Sequence, residues 1–399
     1  MAQKIRVAEI VESTVSGIRE HIRQIVTHVD RERFELAVIC SAERDGRIRA
    51  ELQRWRNAGI DVIEVPMVRP IHPLRDFLCY RRVLHEVQKG AFHVVHTHGS
   101  KGGFIGRMAA RTLPGTGVIH TGHTFPVQWA RGMSGAFYLA LERMACRHSH
   151  RVIALTDSQK ELLVRLRICA EEKIVVVPNA TELPPMPGPD DRRRAREALG
   201  LPLEAPVIGM VGRIVPQKFP AAFVSAAKLV TRARPDAHFV WIGDGPLRGV
   251  LEQGIRQKDV PPGNVHVVGE RDDARGLYPA FDVFLFTTRW EGMPYAVLEA
   301  MAAGLPVVSM RVPGVDELVQ HGQTGMLVNN DALLGMSVLD LLRHGPKCVV
   351  FGLAARHMIE QRYSIAQFAR RLEGLYVDEA AAHGGHRAHS QQTRSQENA

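Results

Sequence analysis

The residues best suited to chemistry gather between Phe286 and Val308, where Glu291 and Glu299 bracket a Gly292-containing turn and a helix that begins near Pro294. Proline is favoured in the first turn of a helix, where its missing N–H costs nothing. The backbone from Met293 through Pro294, Tyr295 and Ala296 to Val297 therefore opens a helix whose N–H groups and positive dipole end suit a diphosphate. Carboxylates accept pairs of hydroxyl hydrogen bonds, so one beside a ribose and one beside a hexose would hold both ends of a nucleotide sugar. A helix cap and an ordinary surface glutamate would leave the same pair. Arg213 and Lys218, five residues apart after a strand, can grip two phosphates, one as a fork and one as a point charge, although a surface pair reads the same way. Gly243 allows close backbone approach to a ligand and Asp244 can cap the next helix; a structural turn is the alternative. His120 and His123 follow another strand. An imidazole there can hydrogen-bond a sugar hydroxyl, whereas a metal pair lacks an evident third ligand. Lys101 opens a Gly-rich helix start and can hold a phosphate, or simply belong to a tight strand–helix turn.

These residues need strands to end on and helices to begin from, and the chain supplies them twice. Val7–Val11, Leu36–Cys40, Val62–Val65, Val94–His96, Val118–Thr121, Val152–Leu155 and Ile174–Val177 read as short apolar strands between helical stretches. The first helix, Gly17 to Val29, sets Ile18, Ile22, Ile25 and Val29 on one face. Pro184, Pro185, Pro187 and Pro189 then exclude a helix interior or a central strand and mark a linker. After a charged helix from Asp190 to Leu199, the rhythm restarts at Val207–Val211, His238–Ile242, Val265–Val267, Val283–Phe286 and Val307–Ser309. The expected architecture is α/β: two Rossmann-like lobes, 1–183 and 184–363, each a parallel sheet covered on both faces. Residues 364–382 read as a last helix with Phe368, Leu372, Leu375 and Tyr376 on its apolar face, and 383–399 as a disordered tail. Ligands of such sheets bind outside the carboxyl ends of the strands, which for two lobes is a central cleft.

The string from Phe286 to Val308 resembles the signature of the family 4 retaining glycosyltransferases, which have the GT-B fold. In that family the first glutamate contacts the donor sugar, the second contacts the ribose, and the backbone between them donates to the phosphates. Here that implies Glu291, Glu299 and Met293 to Val297. Gly212 to Lys218 is similar to the family's Gly-Arg…Lys segment, so Arg213 and Lys218 would stabilise the leaving nucleoside diphosphate. The turn at Gly243 and the strand end Val268 to Arg271 resemble other donor-side segments, with Arg271 near the base. The loop Ser13 to Gly17 keeps Gly17 but has Ser16 where the family has a second glycine, which leaves fewer left-handed conformations for approach to the donor phosphate. His123 falls where the family's histidine lies near the reacting sugar. His96 to Gly103 resembles the branch that builds bacterial surface polysaccharides and lipopolysaccharides, and Lys101 is assigned to its acceptor side. The resemblance implies that the first lobe serves the acceptor, the second binds the nucleotide sugar, and the last helix crosses back to the first lobe. It implies a retaining hexosyltransferase that moves a sugar from a nucleotide-diphosphate donor to a hydroxyl of a glycan or lipid-linked acceptor. A non-catalytic nucleotide-sugar-binding subunit of a glycosyltransferase complex is the alternative. The chain has no Asp-x-Asp triplet, so protein cations, not a metal, are expected at the diphosphate, and no cofactor is expected.

Charge and composition narrow the partners. Residues 1–183 hold 27 Lys and Arg against 19 Asp and Glu, and the remainder 24 against 23, for a net +9. A basic first lobe suits a lipid diphosphate or the anionic cytoplasmic face of an inner membrane. Trp129, Arg131, Phe137, Tyr138, Arg143 and Arg147 offer an amphipathic contact for it, though a core-packing helix fits the same pattern. No recognition motif or aromatic-basic platform points to nucleic acid. No apolar run approaches the roughly 20 residues that span a bilayer, and Val7–Val11, interrupted by Glu9, is too short and polar for a signal-peptide core. Cys40, Cys79, Cys146, Cys169 and Cys348 share no ligand spacing, which argues for reduced thiols in a cytoplasmic protein.

Overall fold

The structure, a computed structural model, describes residues 3–128, 130, 132–258 and 260–397, with side chains as far as Gly384. The chain forms two compact units, Met1–Asn179 with Ile365–Ala399, and Ala180–Ser364. In the first unit β1 (Ile5–Val11), β2 (Phe34–Cys40), β3 (Asp61–Glu64), β4 (Val94–His98), β5 (Gly117–Thr121), β6 (Arg151–Ala154) and β7 (Ile174–Val176) form one sheet. Its order is β3-β2-β1-β4-β5-β6-β7, and all its pairs are parallel. In the second unit β8 (Val207–Val211), β9 (His238–Ile242), β10 (Val265–Gly269), β11 (Val283–Phe286), β12 (Val307–Met310) and β13 (Gly325–Val328) form a second parallel sheet in the order β10-β9-β8-β11-β12-β13. In both, strand order reverses beside the unit's first strand, and such a reversal opens a crevice at the carboxyl ends.

Helices on both faces bury the strands, so β1 needs apolar side chains on each. Val7, Ala8, Ile10 and Val11 are all fully buried, and full burial of a valine or isoleucine contributes roughly 1.5–3 kcal/mol. Ala8 and Ile10 pack with Ala37, Ile39, Val95 and Val118 on one face. Because side chains alternate along a strand, Val7, Glu9 and Val11 lie on the other, under the helices Ser16–His28 and Ile365–Glu397. There the parallel register sets Glu9 beside His96 and Val11 beside His98.

Two elements differ from the sequence reading. The edge strand β13 was not expected, since four residues that begin with Gly325 show no alternation. The last helix runs Ile365–Glu397, so the stretch from His383, expected to be without structure, continues it to Glu397. Once the buried face of Phe368, Leu372 and Tyr376 holds the first turns, each added residue gains a hydrogen bond without a new nucleation cost, and no further apolar face is required. The stretch expected to be amphipathic becomes the helix Gly132–Cys146, with Met133 91% and Phe137 50% exposed. Trp129 and Arg131 lie outside the described residues.

Gly243 ends β9 at φ +140°, and a Cβ there would lie 2.1 Å from the carbonyl oxygen of Gly212, which already accepts from Trp241 Nε1 at 2.8 Å. Gly243→Ala is expected to lower stability by about 2 kcal/mol or more. Chemical denaturation checks this, and an unchanged midpoint would contradict it.

Candidate active site

In the second unit β8 and β11 are neighbours at the order reversal, and the loops that leave them are tied together. Arg289 N–H donates to Gln217 O at 2.9 Å, Gln217 Nε2 to Trp290 O at 2.7 Å, and Thr287 Oγ1 to Lys218 O at 2.7 Å. The short turn Pro216–Lys218, followed by Phe219 at φ +47°, swings Lys218 toward β11. Lys218 Nζ donates to Glu291 Oε1 at 2.6 Å and lies 4.3 Å from the centre of the Phe286 ring. Thr288 Oγ1 donates to the same carboxylate oxygen at 2.7 Å. The two charged side chains are only 14% and 7% exposed, and largely desolvated charges need such partners. Arg213 stands exposed at the start of the same loop.

The second glutamate sits in the helix Tyr295–Ala302. Glu299 Oε1 accepts from Arg275 Nε at 2.9 Å and Oε2 from the Tyr278 hydroxyl at 2.9 Å. Burial, and then the Glu299 charge, push the Tyr278 phenol well above its ordinary value, so it stays a donor. Pro294 precedes the helix and Val297 N–H bonds back to Pro294 O at 3.2 Å, so that amide is engaged within the first turn. Met293 and Tyr295 are buried, Ala296 half-buried. The Gly292 carbonyl is packed so closely by Gly314 that a Cβ on the latter would lie 2.0 Å away. Gly243 N–H donates to Gly269 O at 2.7 Å, which laces β9 to β10. Arg271 is half-buried and forked onto Asp273 at 2.7 Å.

In the first unit the loops after β1, β4 and β5 carry the expected residues. Gly17 is the second residue of the helix Ser16–His28. Ser16 itself adopts the left-handed conformation, at φ +51°, and so does His123, at φ +58°. Non-glycine residues hold that region only under constraint from their surroundings. The serine thus takes the backbone geometry that the sequence reading reserved for glycine. Lys101, in the helix Ser100–Ala110, donates to Asp76 Oδ1 at 2.6 Å and to Pro70 O, and so bridges to the helix Pro73–Gly90.

His123 is buried, with Nε2 3.3 Å from His98 Nδ1 and its ring edge-on to His21 at 4.6 Å between centroids. Behind it, His98 Nε2 donates to Glu9 Oε2 at 2.7 Å and the Tyr376 hydroxyl to Glu9 Oε1 at 2.6 Å. His96 Nδ1 lies 2.9 Å from the Tyr376 oxygen and His96 Nε2 2.8 Å from Thr121 Oγ1. Burial, and then the neighbouring His96, lower His98 to about 4 against the opposing pull of Glu9. Burial, then nearby imidazoles or Arg107, holds His21, His120 and His123 well below the usual histidine value. For Glu9, burial acts upward, but the charge that His96 and His98 take on when protonated at low pH, together with their hydrogen bonds, more than offsets it, and the carboxyl is held far below its ordinary range. The sequence reading singled out neither Glu9 nor His98. The available signal was a carboxylate inside a Val- and Ile-rich strand, which burial on both faces obliges to find partners. Glu12 was missed as well. At the end of β1 its Oε1 is buried without a hydrogen-bond partner, and burial raises its pKa against the pull of Arg44.

Two family models match the chain, one described as "Glycosyltransferase Family 4" over residues 15–183 and one as "Glycosyl transferases group 1" over residues 205–344. The chain is a glycosyltransferase, with a family 4 domain in its first half and a group 1 domain in its second. It is 28% identical over 382 residues to an Escherichia coli UDP-Gal:alpha-D-GlcNAc-diphosphoundecaprenol alpha-1,3-galactosyltransferase, an overlap of 94% of this chain and 97% of the relative. The crystal structure of Anabaena Alr3699/HepE with UDP and glucose superposes with a TM-score of 0.79 at 19% identity, over 94% of this chain and all of that one. WaaG, a glycosyltransferase involved in lipopolysaccharide biosynthesis, superposes at 0.71 and 18%, over 92% and 98%. At those identities the structures establish the shared GT-B fold.

In this glycosyltransferase the His120–His123 metal pair weighed from sequence is not the pair that forms. Alternation puts His120 with Thr97 on the opposite face of the sheet, and His123 meets His21 and His98 instead. The ligand atoms of His21, His98 and His123 lie within 4.8 Å of one another, as do those of Glu9, His96 and His98. A cation could engage either set only by displacing the hydrogen bonds just described.

The lowered imidazoles fix the sign of a pH effect. A base kept neutral in the fold binds its proton more readily unfolded, so its contribution is complete above about pH 6.5 and declines as pH falls toward its folded value. Stability should therefore drop between pH 7 and pH 5, by up to about 1.4 kcal/mol per pH unit for each such ring. Glu9, held low, contributes stability that is complete above its unfolded value near 4.5 and is lost only as pH falls below it. Thermal melts across that range check this, and a flat Tm would mean that the rings are not buried as neutral groups.

Proposed function

We propose that this glycosyltransferase moves a hexose from a nucleoside-diphosphate donor to a hydroxyl of a lipid-linked or glycan acceptor, with retention at the anomeric carbon and without a metal. The observation that carries the reading is the Lys218–Glu291 contact at the carboxyl ends of β8 and β11. A cation and a carboxylate share one position there, the former suited to a phosphate and the latter to sugar hydroxyls. Arg213 adds a second cation, Glu299 meets the ribose, and the backbone of Met293 to Val297, together with Gly243 and Gly17, approaches the phosphates. Arg271 stands near the base, His123 serves the reacting sugar and Lys101 the acceptor. In the transfer the bond from the anomeric carbon to the donor phosphate breaks and the acceptor oxygen bonds that carbon on the same face. The acceptor proton passes to the departing phosphate oxygen, whose charge Lys218 and Arg213 stabilise.

The E. coli relative, aligned over nearly its whole length, makes UDP-galactose and a diphospholipid-linked N-acetylglucosamine the first substrates to test. An acceptor of that kind would suit work at the cytoplasmic face of an inner membrane, in surface-polysaccharide or lipopolysaccharide synthesis. Among the described residues no helix is long and apolar enough to cross a membrane. Met133 and Phe137 on one helix, and Ile71, Leu74, Phe77 and Leu78 at another helix start, are exposed apolar groups suited to peripheral contact. The alternative, a subunit that binds the donor without transferring its sugar, is disfavoured by the intact set Arg213, Lys218, Glu291 and Glu299.

Lys218→Ala and Glu291→Ala should each lower transfer at least about a hundredfold, the loss typical of a removed charge-stabilising group, with circular dichroism unchanged. NMR of the product should show the donor's anomeric configuration, and EDTA should leave the rate as it is. Full turnover by both folded variants, or an inverted product, would sink the assignment.

A further inference from the structure

The buried network behind His123 has a direction that its chemistry imposes. A carboxylate only accepts, so the hydrogen in the 2.7 Å contact between His98 Nε2 and Glu9 Oε2 belongs to His98. The same carboxylate takes the Tyr376 hydroxyl at 2.6 Å, and His96 Nδ1, 2.9 Å from the Tyr376 oxygen and 3.2 Å from Glu9 Oε2, donates to these acceptors. His96 Nε2 is then free to accept from the Thr121 hydroxyl at 2.8 Å. Every donor in this group finds an acceptor while each imidazole carries one hydrogen. A neutral His98 with its hydrogen on Nε2 has a lone pair on Nδ1, and the group 3.3 Å from that lone pair is His123 Nε2. Two lone pairs repel, so His123 must carry its hydrogen on Nε2 and its lone pair on Nδ1.

We propose that Glu9, acting through His98, locks His123 as the Nε2–H tautomer, so that His123 meets an approaching hydroxyl as a hydrogen-bond acceptor at Nδ1. Glu9 and His98 are positioning residues; His123 alone is the group offered to substrate. Three features suit a lock better than ordinary packing. Glu9, His96 and His98 are all fully or almost fully buried on a sheet face that holds apolar side chains elsewhere. The last helix returns 367 residues along the chain to supply the Tyr376 hydroxyl. His123 is held at φ +58°, a conformation that its surroundings must enforce. A wrong tautomer would turn an N–H toward the hydroxyl and remove the acceptor, the kind of error for which an orienting carboxylate is used elsewhere.

The inference rests on the transferase reading only for its catalytic consequence, and the test separates the two. Imidazole 15N spectra of the full chain without substrate should show His98 and His123 as Nε2–H tautomers. Glu9→Gln keeps the shape but can donate as well as accept, so both rings should become tautomer mixtures. With UDP-galactose as donor, its kcat should fall about ten- to a hundredfold, with the affinity for UDP unchanged. His98→Asn, whose amide oxygen can stand where Nδ1 was, should recover activity relative to His98→Phe if both fold. A wild-type His123 with its hydrogen on Nδ1 overturns the lock whatever the activity. Stoichiometric zinc held through His98 in the purified chain overturns it too, since a coordinated lone pair cannot accept a hydrogen. An unchanged kcat in folded Glu9→Gln overturns its role in positioning His123 for transfer. Failure of the transferase reading would show instead as no turnover by the wild-type chain, with the spectra unaffected.

Discussion

A parallel sheet delivers all its strands' carboxyl ends to one edge, and in both units the strand order reverses beside the first strand. That constraint decides where chemistry can occur. The helices that follow neighbouring strands go to opposite faces at the reversal, so the loops there have room for a ligand and their helix starts can face it. Lys218 leaves β8 and Glu291 leaves β11, the pair on either side of the reversal. Glu12, His98 and His123 stand at or after the ends of β1, β4 and β5. The same burial of both faces that stabilises the sheets also leaves Glu9 with no water, and the histidine network is the consequence. A buried carboxylate must be satisfied completely or it destabilises the fold, so Tyr376, His96 and His98 are held as tightly as any apolar core.

Much of this was legible in the sequence because it is local. The alternation of short apolar runs with amphipathic helices marked the strands apart from β13, whose four residues carry too little pattern. The string that contains Glu291, Pro294 and Glu299 spans one strand end, one turn and one helix, so its geometry follows from its own residues. Lys218 and Arg213 were legible for the same reason. The contacts of these residues were not, because partners come from elsewhere in the chain. Glu291 finds Lys218 across 73 positions. Arg275 and Tyr278 take both oxygens of Glu299, and Asp76 takes Lys101.

The first-unit site shows the limit most clearly. His120 and His123 look like a pair in the sequence, yet strand alternation sends His120 to one face while the turn after β5 sends His123 toward the other. The partner that His123 does find, His98, lies on a neighbouring strand, and the group that orients His98 lies on the next. No local pattern encodes that arrangement, which needs the register of three strands and the return of the last helix.

One regularity links the two units. Three cations expected to meet an anionic substrate are held by carboxylates instead: Lys218 by Glu291, Lys101 by Asp76 and Arg271 by Asp273. Arg275 occupies Glu299 in the same manner. A half-buried lysine without a partner would be unstable or would draw in water, so self-pairing is what such a lysine requires when no ligand is bound. It also sets the chemistry of entry. A diphosphate that replaces Glu291 at Lys218 substitutes one anion for another and leaves the local charge nearly balanced. The displaced carboxylate is then free to accept sugar hydroxyls. A neutral sugar brings no such anion and cannot release the pair. Discrimination in favour of a nucleoside-diphosphate sugar can thus arise from an exchange of partners at a site that is already closed on itself.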